Sequence, residues 1–543
     1  MPQKTMSSSL SNVLARSYFP KELPPPFNTK LFGAFADTGP ATVLQLDTTK
    51  KGIKKNLITR PAIHNLARSG TLRRKLTIPN PVNQYQVARA VVQGWGEIKS
   101  KCAGSPFSLT TPRYLKHGAR AISPNRNFDA IPVARARSRT ASRYFLTTDL
   151  SQFYPSIYTH SIPWALHTKP VAKAKPSDYS MLGNLLDLAI RNGQDKQTIG
   201  IPIGPDTSLA VAEVILSSVD SKLSGTITKR GFRYIDDIGC GFRTIAEAED
   251  TLGRLQHLIG DLQLQLNPKK TKIAELPSDL EASWVPHLRL FAFRAFSPNA
   301  QQTDLLSYFG RAFELAAIQR EEAILRYSVQ RLRSVSIMEK NWALYESLLL
   351  QCLSVEPGTA PAVIGELYKY HLLMPLDMVR IAESLQQLIE DHAPLHHGSE
   401  VVWALWGAIC LDCKLEAKVV EKALLTSDPC VSLCVLHAIA NKLVLGPVDV
   451  SSLEALMHDG ELVEDQWLLA YEANLKGWLP NLGGKDFVAA STHFGPMKAA
   501  GVSFYDTAAT LSIAVKPAGA QGYDGSDHAG ELELADLLGD VSG

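Results

Sequence analysis

Acidic side chains are scarce at the front of this chain. Residues 1–148 carry 5 Asp and Glu against 24 Lys and Arg, whereas the remainder holds 48 acidic against 32 basic side chains, so a net charge of +3 conceals two halves of opposite sign. A front so poor in carboxylates is unsuited to a basic partner and suited to phosphates, which it meets by direct contact and by counterion release. Long apolar runs are missing too. The longest, Val401 to Leu411, is too short to cross a bilayer, and the opening Met1-Pro-Gln-Lys-Thr-Met-Ser-Ser-Ser-Leu10 lacks the apolar core of a secretory signal. A cytoplasmic protein with no membrane partner is expected. Cysteine is sparse, with seven in 543 residues. Cys410 with Cys413 and Cys430 with Cys434 have the spacing of a zinc site, yet both pairs lie in apolar runs, where free cysteine is expected to pack as a small hydrophobe.

What is present in quantity is apolar residue, 45% of the chain against 20% charged, enough for a large core shared by about two to four domains. The basic surface is expected at Arg73-Arg74-Lys75, Lys116, Arg120, Arg126 and the ladder Arg135, Arg137, Arg139 and Arg143. The stretch Tyr18-Phe-Pro-Lys-Glu-Leu-Pro-Pro-Pro-Phe27 cannot sustain a long helix and is expected to lie extended across another surface.

Three aspartates carry the functional signal. Asp149 closes the strand-like run Arg143-Tyr-Phe-Leu-Thr-Thr-Asp149, and Asp236 and Asp237 sit inside Phe232-Arg-Tyr-Ile-Asp-Asp-Ile-Gly-Cys-Gly-Phe242, whose pattern is a short hairpin with the acids at its turn. Three carboxylates at one spot repel one another unless cations neutralise them, so the arrangement predicts a two-metal site for nucleotidyl transfer. The competing explanation, a salt-bridged turn, accounts for one aspartate better than for three.

Neighbouring motifs carry a family resemblance. Asp149-Leu-Ser-Gln-Phe-Tyr-Pro-Ser-Ile157 resembles motif A of reverse transcriptases, Gly200-Ile-Pro-Ile-Gly-Pro-Asp-Thr-Ser208 resembles motif B, and Asn267-Pro-Lys-Lys-Thr-Lys272 resembles motif D. They occur in the family's order between roughly Tyr144 and Phe296. The resemblance implies an α+β chain: N-terminal segment and basic fingers over residues 1–142, then a palm with the aspartates over 143–300. It also implies Mg²⁺ or Mn²⁺, two ions, held by Asp149, Asp236, Asp237 and the Leu150 carbonyl. Tyr154 would be the aromatic gate that excludes a 2′-hydroxyl, favouring deoxynucleoside triphosphates, while Phe153 beside it reads as core. Gly200, Pro202 and Gly204 would let the backbone pass close to the nucleotide. Lys270 would protonate or pair with the departing pyrophosphate, unless it is simply solvated, and Arg135, Arg137 and Arg139 would grip phosphates. One departure stands out: where most templated enzymes read Leu-Pro-Gln-Gly, this chain has Ile201-Pro-Ile-Gly204.

After Pro205, Asp206 is expected to cap an amphipathic helix, Thr207 to Leu223. Beyond residue 300 the pattern becomes helix after helix, at Thr303 to Ala317, Arg320 to Val335, Met338 to Leu353, Ala360 to Leu372, Leu376 to Ile389 and Val401 to Leu411. A HEAT-like α-solenoid over 301–500 in place of a thumb is expected, followed by a 501–543 segment ending in an acidic, mobile tail.

These features together resemble the bacterial abortive-infection reverse transcriptases. That likeness implies protein-primed, template-independent DNA synthesis in anti-phage defence, a single-stranded product covalently attached to the protein, and a homo-oligomer, trimer or hexamer. Tyr18 is the first priming candidate and Tyr505 the second, with a packed hydrophobic anchor as the other reading of Tyr18. Two alternatives remain open: a templated reverse transcriptase using a partner non-coding RNA, and a helical-repeat scaffold with an inactive palm.

Overall fold

The computed structural model describes residues 3–68, 73–223, 225–294 and 296–511. The acidic tail expected from Lys516, with its amphipathic patch Glu531 to Leu538, lies outside the described residues.

A four-stranded antiparallel sheet occupies the middle of the chain, in the spatial order Gly231–Tyr234, Asp237–Phe242, Tyr144–Thr148, Lys272–Glu275. Strand alternation divides its side chains between two faces. Leu146, Ile238, Cys240 and Phe242 join the main core, whereas Phe145, Phe232 and Tyr234 form a smaller cluster with Ile131 of the arginine-bearing helix Ala130–Ser138. That helix comes so close that a Cβ at Gly241 would lie 2.1 Å from the Ser138 carbonyl oxygen, which is why the strand carries glycine there. The sheet is open and mixed with helices, and an extended all-α region follows it.

The helix after Pro205 spans Asp206–Asp220 and buries nearly every position. Asp206 is its first residue rather than its cap, because Pro205 holds the extended cap position and the Asp206 carboxylate turns to Arg120 at 2.6 Å. The later helices run Pro298–Ile318, Ile324–Arg331, Trp342–Val355, Ala360–Tyr370, Met378–His392 and Gly398–Cys410. The expected segment Arg320 to Val335 is shorter than its pattern, since a 3₁₀ turn at Leu332–Ser334 ends it. Met378–His392 packs on Gly398–Cys410, that helix on Pro429–Ala440, and that one on Trp467–Lys476. No helix among the described residues is long and apolar enough to cross a membrane.

The Pro-rich N-terminal stretch crosses the far end of this helical region. Phe27 pairs with Tyr505, the Glu22 carbonyl accepts from the Trp403 indole, and the rings of Tyr18 and Phe19 pack against Phe504. The hairpin Ala62–Ala67 with Arg73–Ile78 docks there as well, with Arg73 paired to the buried Glu400 and the Ile78 carbonyl accepting from Trp467. One continuous core therefore links the front of the chain to its helical rear.

Candidate active site

Pairing of Thr148 with Ile238 brings the end of the central strand to the start of the hairpin's second strand. Continuing that register by one residue sets Asp149 beside Asp237. Asp236 lies in the two-residue turn, Ile235-Asp236, that separates the paired Tyr234 and Asp237. The structure thus brings all three aspartates to one end of the sheet. The following segment closes the site. Asn267 donates its N–H to the Asp149 carbonyl at 2.8 Å, Leu150 bridges Leu266, and the turn that starts at Asn267 delivers Lys270 Nζ to within 3.0 Å of Asp149 Oδ2.

Asp149 is 1% exposed, and neither of its carboxylate oxygens accepts a hydrogen bond. A buried carboxylate is costly unless a cation meets it, and Lys270 supplies one positive charge against three carboxylates. Asp236 is half-buried by exposed area, and its carboxyl is pushed up to about 8, by burial first and then by the charges of Asp237 and Asp149, with Lys270 pulling the other way. Mutual repulsion of three carboxylates at one end of the sheet is what a multivalent cation would relieve.

The turn is held in an unfavourable conformation. Ile235 has φ +52°, a left-handed region that β-branched residues rarely enter. Its N–H donates to Thr110 Oγ1 at 3.0 Å, and its carbonyl accepts from Arg233 at 2.8 Å. Arg233 is fully buried between Glu213 and Asp220 of the supporting helix, at 2.9 and 2.6 Å. Burial disfavours its charge, and those two carboxylates more than restore it. Thr110 also donates to Glu213. Sequence reading missed this frame, whose one signal was an arginine inside an otherwise apolar strand.

Tyr154 stands near this cluster, its hydroxyl pKa raised by burial first and then by Asp236, while Arg74 opposes the shift. Its carbonyl accepts from Ile201, which ties motif A to motif B. Phe153 is buried and meets Tyr154 edge-on at 5.4 Å. Pro202 is half-buried. Gly204 does make a close approach, but to the chain itself: a Cβ there would lie 2.7 Å from Pro20 and 3.1 Å from the Thr77 carbonyl oxygen.

Residues 107–310 match the family model described as reverse transcriptase (RNA-dependent DNA polymerase). A reverse-transcriptase-like domain is present. No curated protein matches the chain. The matched residues contain the sheet, all three aspartates and Lys270, and the helical region flanks this reverse-transcriptase-like domain on its C-terminal side.

Several expectations are corrected. Arg135 donates to the Leu280 carbonyl, and Arg139 to those of Ser278 and Asp279, so both bind a loop of the protein where phosphate contacts were expected. Arg137, between them on the helix, points elsewhere and is exposed. Tyr18 is fully buried, its hydroxyl donating to the Pro79 carbonyl and its pKa raised by burial, so it does not sit on a flexible reaching segment. Tyr505 is equally buried, 2.9 Å from His437 Nδ1.

All seven cysteines are free, and burial raises the Cys413 thiol to about 11 and the Cys410 and Cys434 thiols to about 12. Two groups have metal-ligand spacing among the described residues: His64, Asp428 and Cys430, and His392, His397 and Glu400. Neither includes a palm aspartate. In the first, His64 Nδ1 lies 2.7 Å from Asp428; in the second, Glu400 is engaged by Arg73.

Proposed function

We propose that this chain is a DNA-synthesising nucleotidyltransferase of reverse-transcriptase type, with Asp149, Asp236 and Asp237 holding two divalent cations, Mg²⁺ or Mn²⁺. The observation that carries the reading is the buried Asp149 carboxylate, met by the single charge of Lys270, beside two more carboxylates within the reverse-transcriptase-like domain. Bound there, the ions would activate an attacking hydroxyl and neutralise the departing pyrophosphate. Tyr154 lies beneath the sugar and leaves no room for a 2′-hydroxyl. The Leu150 carbonyl would be a further ligand. Lys270 pairs with Asp149 at 3.0 Å and would give a proton to the leaving group.

Independence of a template and a role in anti-phage defence rest on the motif likeness, above all on Ile203 where templated enzymes carry glutamine. Ile203 holds its place through main-chain bonding, its carbonyl accepting from Thr77 at 2.8 Å. The burial of Tyr18 and Tyr505 weighs against either hydroxyl acting as primer in this conformation.

The test is incorporation of labelled deoxynucleotides by nuclease-treated protein, with Mg²⁺ or Mn²⁺, against Asp236→Ala. Product without added template or primer, retained on the protein until protease digestion, supports the whole reading. Product that appears only with RNA supports templated synthesis. No product under any condition, with wild type equal to Asp236→Ala, overturns the enzymatic reading in favour of a scaffold.

A further inference from the structure

Alternation along the arginine-bearing helix separates its cations. Arg135 and Arg139, four residues apart, share the face turned to the 278–280 loop, and Arg135 also feels the charge of Asp237. Arg137 faces the opposite way, into a cavity of about 550 Å³. Its other walls are the Pro106–Leu109 segment and the beginning of the Gly231–Tyr234 strand, and Arg126, Lys229 and Arg230 join Arg137 around it. No carboxylate lines the cavity. Arg126, Arg137 and Lys229 are exposed and make no ion pair among the described residues, while Arg230 donates to the Ala141 carbonyl. Four cations converging without a counter-charge repel one another, and an anion seated among them would relieve that repulsion.

The cavity is not the aspartate site. It opens at the Gly231 end of the strand, and the three residues from there to Tyr234 span about 10 Å before the turn that carries Asp236. Its walls are mixed. The exposed Val133, backed by the edges of the buried Phe107 and Phe232, contributes apolar surface beside the guanidiniums, which suits a ligand with both an apolar part and an anionic part. The volume is in the range of small-molecule sites, which run from about 300 to 1,000 Å³.

We propose that this cavity is a second nucleotide-binding site, separate from the aspartate cluster, that takes the phosphate of a nucleotide on Arg126, Arg137, Lys229 and Arg230 and its base against the apolar wall. The nucleotide is either free or one unit of a single strand; the chemistry recognised is the same. The site needs no divalent cation, so it stands or falls independently of the polymerase reading.

The experiment uses full-length protein in EDTA, with a fluorescent deoxyadenosine triphosphate analogue and a fluorescein-labelled single-stranded oligo-dT as two probes. Arg137→Glu with Lys229→Glu is compared with wild type and with Lys340→Glu, which puts the same kind of charge change on the exposed Lys340 of the helical region. Both cavity residues are exposed, and melting temperatures close to that of wild type are expected. The double variant is expected to bind at least one probe about tenfold or more weakly. If the oligonucleotide is the probe affected, the salt dependence of its binding also falls, by a slope of about 1.4 when two phosphates are no longer neutralised. Loss confined to the oligonucleotide assigns the site to a strand, and loss of the triphosphate analogue assigns it to a free nucleotide. Binding of both probes within the range of Lys340→Glu overturns the proposal.

Discussion

The guanidinium of Arg233 donates a 2.8 Å hydrogen bond to the carbonyl of Ile235, the residue held at φ +52° beside the aspartates. Because the same guanidinium is gripped by Glu213 and Asp220, the position of the aspartate turn is set by a helix on the core side of the sheet. Strain at a turn persists only where its surroundings over-determine it, and here Thr110 and Arg233 do so from the two peptides that flank Ile235.

Removing either support has a defined consequence. Arg233→Ala leaves two buried carboxylates without their cation and is expected to lower stability by about 3–5 kcal/mol, measured as a shift in denaturation midpoint. Thr110→Val keeps the shape but leaves the Ile235 N–H without its acceptor, at a cost of about 1–3 kcal/mol. Nucleotide incorporation by Thr110→Val is expected to fall while the fold persists. Full activity would show that the turn keeps its place without the threonine.

Protonation of Asp236 couples stability to pH. Its carboxyl is raised from 3.8 to about 8, so between those values the folded chain holds a proton that the unfolded chain has lost. The stability this proton confers is complete below about pH 4 and is lost as pH rises through 8. In EDTA the thermal midpoint of wild type should therefore fall more steeply from about pH 6 to pH 8 than that of Asp236→Asn, and Mg²⁺ should restore more at the higher pH. Parallel slopes for the two proteins would reject this account.

Tyr154→Ala is expected to raise ribonucleotide incorporation relative to deoxynucleotide by about tenfold or more, equivalent to at least about 1.4 kcal/mol of discrimination. Competition between the two substrates in one reaction measures the ratio. An unchanged ratio would place sugar selection on another residue.

Tyr18→Phe removes a buried hydroxyl and leaves the Pro79 carbonyl without that donor, at a cost of about 1–3 kcal/mol. Incorporation, and any label attached to the protein, are expected to survive the substitution. Loss of protein-bound label from an intact, folded variant would show that the N-terminal stretch leaves its seat against Phe504 and that Tyr18 is the primer.

Much of the sheet was legible because its residues obey a short-range rule. The run ending at Asp149 and the paired acids between aromatic and branched residues follow the alternation of half-buried strands, and strand pairing needs little more to bring the two together. The helical rear was legible for the same reason at a period of 3.6, with boundaries displaced by turns such as Leu332–Ser334.

The charged residues were the least legible, because a guanidinium pairs with whatever the fold brings to it. Arg73, Arg120, Arg135, Arg139 and Arg143 all come from the basic front, yet they meet Glu400, Asp206, the 278–280 loop and Glu275 within the same molecule. Arg137 differs from its two neighbours only by its angle on the helix. The amino-acid sequence by itself determined the strands, the helices and the identity of the three acids, since local periodicity and side-chain chemistry suffice for these. Only the tertiary structure decided that Arg233 is buried against Glu213 and Asp220, that Tyr18 is walled in by Phe504, and that four cations surround one cavity. Those relationships join residues far apart in the chain, where no local pattern constrains which side chains meet.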